Sequence, residues 1–177
     1  MTLTNFKNGI ASMGVPVLGS GFPIPTTTGS VFFVDSVTGL SGNDALSADR
    51  PINNVTNALA KCTANKGDVV VMLPGHVETV AGAAGIDINV AGTTVVGLGV
   101  GNTRPTFTFS ATASTITMTA ANCKFKNVIT TPSIDNVVSP IVISAAGCTV
   151  DFEHQDASAT VEATRAVLTT ASADDLN

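Results

Sequence analysis

Apolar and small residues recur along this chain with the spacing of a coil. Three stretches share one pattern: Ile88-Asn89-Val90-Ala91-Gly92-Thr93-Thr94-Val95, Met118-Thr119-Ala120-Ala121-Asn122-Cys123-Lys124-Phe125 and Ile143-Ser144-Ala145-Ala146-Gly147-Cys148-Thr149-Val150. Each has an apolar residue, Ala three positions later, then Gly or Asn, then another apolar residue. The shared positions Gly92, Asn122 and Gly147 are 30 and then 25 residues apart. Repeats of that length belong to stacked units that bury an apolar face only against one another. Short β-rich units with a Gly or Asn corner predict a parallel β-helix, its corners lined up coil over coil.

From residue 86 onward the best strands are Val95-Val96, Thr106 to Phe109, Ile116 to Met118, Phe125 to Ile129, Ile141 to Ile143 and Val150 to Phe152. Upstream, Val31 to Asp35 reads as a buried strand, followed by a loop through Gly39, Gly42, Asn43 and Asp44 to Asp49-Arg50-Pro51. Ile52, Val55, Leu59 and Cys62 then recur at spacings of three and four. That spacing predicts an amphipathic helix of about three turns, with Lys61 and Lys66 toward its C-terminal side and Gly67 as its stop. Val69 to Leu73 is an apolar strand closed by Pro74-Gly75. Helix and strand together suit a cap over the open end of a coil, which would otherwise expose backbone and core. The chain so divides into an arm (1–30), a leading strand, loop and capping helix (31–75) and the coils (76–177).

The arm carries one charge, Lys7, with five Gly and three Pro that prevent a helix and interrupt strands. Yet Phe6, Ile10, Met13, Val15, Val17, Leu18, Phe22 and Ile24 are apolar. So apolar an arm needs a surface to dock on, either its own domain or a neighbouring subunit. These eight residues are the expected subunit or capsid contact. Gly9, Gly14 and Pro16 break the uninterrupted apolar stretch of a signal peptide.

Charged residues are only 12%, and Thr, Val, Ala and Gly dominate, a composition suited to strands and tight turns. A net charge of -5 and eight scattered Lys and Arg argue against a nucleic-acid partner. No apolar run approaches the roughly 20 residues that cross a bilayer, so no membrane partner is expected. Cys62, Cys123 and Cys148 are an odd set, two of them at matching repeat positions. They read as buried free thiols, with a bridge between adjacent coils as the alternative.

Candidate chemistry is thin. His76 and Glu78 lie two apart, and residues two apart in a strand share a face, so the pair has the makings of acid–base work. The reading preferred here is a solvated turn. His154, between Glu153 and Gln155, reads as an outward strand position. Asp35, Asn43, Asp44 and Asp49 supply oxygen ligands from one loop, but their spacing fits no EF-hand and Asx turns explain them, so no metal is expected. Gly97, Gly99 and Gly101 lack the spacing of a dinucleotide loop, and no cofactor is expected. Phe107, Phe109, Phe125 and Phe152 read as internal stacking. Three Glu, no carboxylate pair repeated from coil to coil, and no Trp or Tyr make a poor sugar-cleaving groove.

Val34-Asp35, Gly42-Asn43-Asp44, Arg50-Pro51, the helix and Gly67-Asp68-Val69-Val70-Val71 with Pro74-Gly75-His76 resemble the start of pectate-lyase-like right-handed β-helices. With the Gly/Pro-rich apolar start (Asn5-Phe6, Gly9-Ile10, Gly14-Val15-Pro16, Gly19-Ser20-Gly21), residues 1–155 resemble short β-helix proteins of tailed-phage virions. The resemblance implies an all-β fold: a short right-handed parallel β-helix with an N-terminal capping helix and an extended arm. It also implies a non-enzymatic virion structural protein, a homotrimeric capsid decoration (cement) protein. Such a protein assembles in the host cytoplasm and binds itself and the major capsid protein on the capsid surface. The alternatives are a tail-fibre or tailspike module binding host glycan, or a polysaccharide lyase.

Overall fold

Backbone that turns back over itself every 25 to 30 residues needs corners of fixed shape, and this chain makes one corner from left-handed residues. In the computed structural model, which describes residues 11–12, 15–16, 25, 27–158, 160–171 and 173, Asn65, Gly92, Asn122 and Gly147 have φ of 60°, 74°, 60° and 68°. Only Gly, and to a lesser degree Asn, adopts that region cheaply. The four corners stack: Asn65 N–H donates to Ala91 O (2.8 Å), Gly92 N–H to Ala121 O (3.0 Å) and Asn122 N–H to Ala146 O (3.0 Å). The three positions read from sequence line up, and Asn65 heads the column.

Two short antiparallel strands come first, β1 (Ala11–Ser12) and β2 (Val15–Pro16). Val15 of the arm's apolar set lies in β2. Phe6, Ile10, Met13, Val17, Leu18, Phe22 and Ile24 lie outside the described residues. β3 (Val31–Val34) leads into helix α1 (Val55–Leu59), and the coils then follow. The first coil is β4 (Val69–Met72), β5 (Val77–Val80) and β6 (Ile86–Ile88). The second is β7 (Thr94–Gly97), β8 (Thr106–Phe109) and β9 (Ile116–Met118). The third is β10 (Lys124–Pro132), which serves two faces, and β11 (Ile141–Ile143). β12 (Thr149–His154) and β13 (Val167–Thr169) make the last. All coil pairings are parallel, giving a right-handed β-solenoid of about four turns.

Three faces result. The first aligns Val31, Val69, Thr94, Lys124 and Thr149 at its leading edge. The second aligns Val77, Thr106, Ile129 and Glu153, and the third Ile86, Ile116, Ile141 and Val167. β10 crosses from the first face to the second without a loop because Asn127, at φ 57°, forms a bulge there. Its side-chain amide donates to Gly97 O (2.8 Å) and Gly99 O (3.1 Å) of the coil above.

Alternation sends Val70, Met72, Val95 and Phe125 inward, into a core shared with Phe107, Phe109, Ile116, Met118 and Ile141. Phe107 meets Phe125 edge-on at 5.6 Å. The alternate residues Val69, Val71, Val96 and Leu98 point outward yet are also buried, in a second cluster with Val31, Phe33 and Leu73. The first face is thus apolar on both sides.

The helix is far shorter than its periodicity predicts, five residues against about three turns. Ile52 is occupied elsewhere. Its N–H donates to Phe33 O and its carbonyl accepts from Asp35 N–H, both at 2.9 Å, in a parallel bridge to Val34. The helix starts only after Asn54, whose side chain caps Asn57 N–H at 2.8 Å. Val55, Ala58 and Leu59 still close the top of the core, so the capping role stands.

At Gly147 a Cβ would overlap the Asn122 side-chain oxygen above, besides favouring the wrong φ. We expect Gly147→Ala to cost about 1–3 kcal/mol in urea unfolding, and Asn122→Gly to change stability by less than about 1 kcal/mol. Equal, negligible effects of both would contradict the stacked-corner account.

Candidate functional site

The leading end of the solenoid holds most of the polar organisation. Asp68, buried, accepts Ser30 N–H and Thr63 N–H on its two oxygens, each at 2.7 Å. It ties the strand before the coils to the turn after α1. Thr27 Oγ1 donates to Gly67 O beside it. Asp35 accepts the Thr38 hydroxyl (2.6 Å) and the N–H groups of Val37 (3.2 Å) and Thr38 (3.1 Å). Burial pushes this carboxyl up, but those bonds and nearby His76 outweigh it and hold it below the usual aspartate value. Asn43 donates to Pro51 O, and Asp44 accepts Leu46 N–H and faces Arg50. These side chains are spent on turns, as their composition suggested.

His76 departs from the expected solvated turn. It is 0% exposed, its ring edge-on to Phe107 at 6.1 Å. Nε2 lies 3.2 Å from Glu78 Oε2, which also accepts Val55 N–H at 3.0 Å. The corner after Leu73 turns the imidazole inward, where Glu78 fastens the helix start to the coil. Nδ1 has no partner. A shared face was correctly expected for the pair; the face is the interior one.

His154 also departs from its expected outward place. Its register column is Glu78, Phe107, Thr130 and His154, the inward column of the second face. Nδ1 sits 2.9 Å from Thr130 Oγ1 and Nε2 3.0 Å from Asp156 Oδ1. The relay has the outline of a nucleophile–base–acid array, but Thr130 is wholly buried beneath the ring, so no substrate carbonyl reaches its hydroxyl. Outside, Gln155 and Arg104 hold Glu153 below its usual value. Asp87 accepts the hydroxyls of Thr117 (3.0 Å) and Thr119 (2.7 Å) on the third face. Among the described residues no three His, Cys, Asp or Glu converge as metal ligands.

Cys123 and Cys148 occupy matching rungs, both buried and free, their thiols donating to Val90 O (3.2 Å) and Ala120 O (3.4 Å). Burial, then Asp68, push the Cys62 thiol up to about 12. Burial raises Cys123 as well, which disfavours the thiolate form of both.

Two surface features went unread in the sequence. One is a groove of about 440 Å³ running down the left-handed corners, lined by Gly67 and Val69, Gly92 and Thr94, Asn122 and Lys124, with Thr27 at its top. The two-apart repeat of corner and groove residue was its available signal. The other is a rim of exposed aliphatic side chains at the leading end, from residues scattered between 37 and 100.

No family model and no curated protein matches the chain. A solved structure described as "Rhamnogalacturonan lyase" is similar, with a TM-score of 0.51 and 15% identity. The match covers 72% of this chain and 36% of that one, so the chain spans about a third of that protein's length. The likeness shows the fold, a short right-handed parallel β-helix. The expectation that the chain is not an enzyme is corrected by this finding, because the similar structure is named as a lyase. The scarcity of charged residues cannot decide the matter, since catalysis needs only a few placed groups on a fold that hosts many functions.

Asp35 gives a measurable pH signature. Its folded value is depressed, so its contribution is complete above the unfolded value near 4 and is lost as pH falls through the lower folded value. Asp35→Ala is expected to cost about 2 kcal/mol at pH 7 and much less at pH 2. A pH-independent difference in denaturation midpoints would contradict this.

Proposed function

We propose that the chain is a virion structural protein, a homotrimeric capsid decoration protein that stabilises the major capsid lattice. The observation that carries this reading is the exposed aliphatic rim at the capped end, on a short rigid coil whose buried His and Thr groups are committed to packing. Surfaces of that kind suit protein contact. The resemblance of residues 1–155 to short phage β-helix proteins points the same way, and the arm's apolar residues from Phe6 to Ile24 are the proposed contact element. The mechanism is mass action: binding only the assembled lattice shifts the equilibrium away from its loss. Empty phage shells mixed with the purified chain should retain it on sedimentation and melt at higher temperature. A chain lacking residues 1–25, folded by circular dichroism, should neither trimerise nor remain with shells. Normal decoration by the truncated chain would sink the proposal.

A second reading, cleavage of an acidic polysaccharide, draws on the fold shared with the lyase. Its test is the appearance of unsaturated sugar products from rhamnogalacturonan and polyuronates. Product formation that survives Glu78→Gln and His76→Phe would place the chemistry away from the interior pair.

A further inference from the structure

Six large aliphatic side chains among the described residues stand in solvent, and five belong to the leading end: Val37, Leu40, Leu46, Val77 and Val100. Val77 N–H donates to Ser36 Oγ at 3.0 Å, which sets Val37 beside Val77. Gly75 N–H donates to Thr103 O at 2.7 Å, and Thr103 Oγ1 accepts Val100 N–H at 3.0 Å, which brings Val100 to the same corner. The loop between β3 and α1 carries Leu40 and Leu46. It is pinned by Leu40 N–H to Pro51 O (3.2 Å) and by Phe33 N–H to Ala45 O (2.7 Å). Single exposed aliphatics are ordinary, but Val37, Val77 and Val100 at one corner, with Leu40 and Leu46 on the pinned loop after β3, mark a preformed contact surface.

We propose that this rim seats the apolar N-terminal arm of a second copy of the chain, an inference that rests on reading the arm as a contact element. Three observations select that occupant. First, the rim stays open in the single chain, with Val37 and Val100 each 82% exposed. Second, residues 1–24 carry ten Met, Leu, Ile, Val and Phe side chains against one charged side chain, Lys7, and such a segment complements an aliphatic rim without burying unpaired charge. Third, the reach suffices. The described chain is fixed at Thr27 through Ser30 against Gly67 and Asp68. From Thr27 back to Val15 the backbone can extend about 40 Å, against roughly 20 Å for four stacked coils. Each copy then offers one arm and one rim, and exchange of an identical element closes the assembly.

The test uses the full-length chain and light scattering. Val37→Asp with Val100→Asp alters the rim, and Ile10→Asp with Val17→Asp alters the arm. The rim positions are exposed, so that variant should keep the parent's circular dichroism spectrum. Both variants should run as monomers, with self-association weakened at least about 100-fold. Mixing them should restore a mixed oligomer, since intact arms of one meet intact rims of the other. If the rim variant keeps the parent mass while the arm variant is monomeric, the arm seats elsewhere and this inference falls, though the arm contact stands. If both variants keep the parent mass, the contact role of the arm falls as well. A rim variant that stays oligomeric but no longer binds shells would assign the rim to the capsid lattice and overturn the inference. A monomeric parent chain would also overturn it.

Discussion

Everything in this molecule depends on keeping successive coils in register. A parallel coil has no partner for its backbone except the coil above and the coil below, so a slip at one corner would unpair a whole strand. The column of Asn65, Gly92, Asn122 and Gly147 prevents that slip. Asn65, Gly92 and Asn122 each hand an N–H to the coil beneath, and all four corners hold a backbone shape that other residues resist. The strands, the core and the polar columns all inherit their positions from it.

Stacking also explains why polar side chains are found inside. A residue on an inward column cannot leave the core without moving its whole strand. Thr130 and His154 solve this by bonding to each other along the column, and Cys123 and Cys148 by donating to carbonyls of the corner. His76 and Glu78 use the same logic at the capped end, where the carboxylate doubles as a partner for the first N–H of α1. Interior polar groups here join coils to one another.

That division bears on function. The likeness to a lyase shows a shared architecture, in which this chain places the His76–Glu78 pair inside and the Arg104–Glu153 and Arg50–Asp44 pairs at the surface. Also facing outward are a corner groove that includes Lys124 and an aliphatic rim on pinned turns.

The chain's own order of residues determined the coil. The Ala-Gly and Ala-Asn corners, the inward alternation at Ile86, Phe107, Ile116 and Ile141, and the presence of a cap were all legible, because each arises from neighbours within a few positions. The helix length, the burial of His76 and the inward place of His154 were not. Ile52 fits a helical stripe but gives its backbone to β3, twenty residues upstream, and His154 takes its direction from Thr130 in the preceding coil. The rim, and the joining of the repeated corner residues into one groove, were hidden for the same reason. Their residues are far apart in sequence, and only the closure of the coils, which fixes one turn against the next, brings them to a common surface.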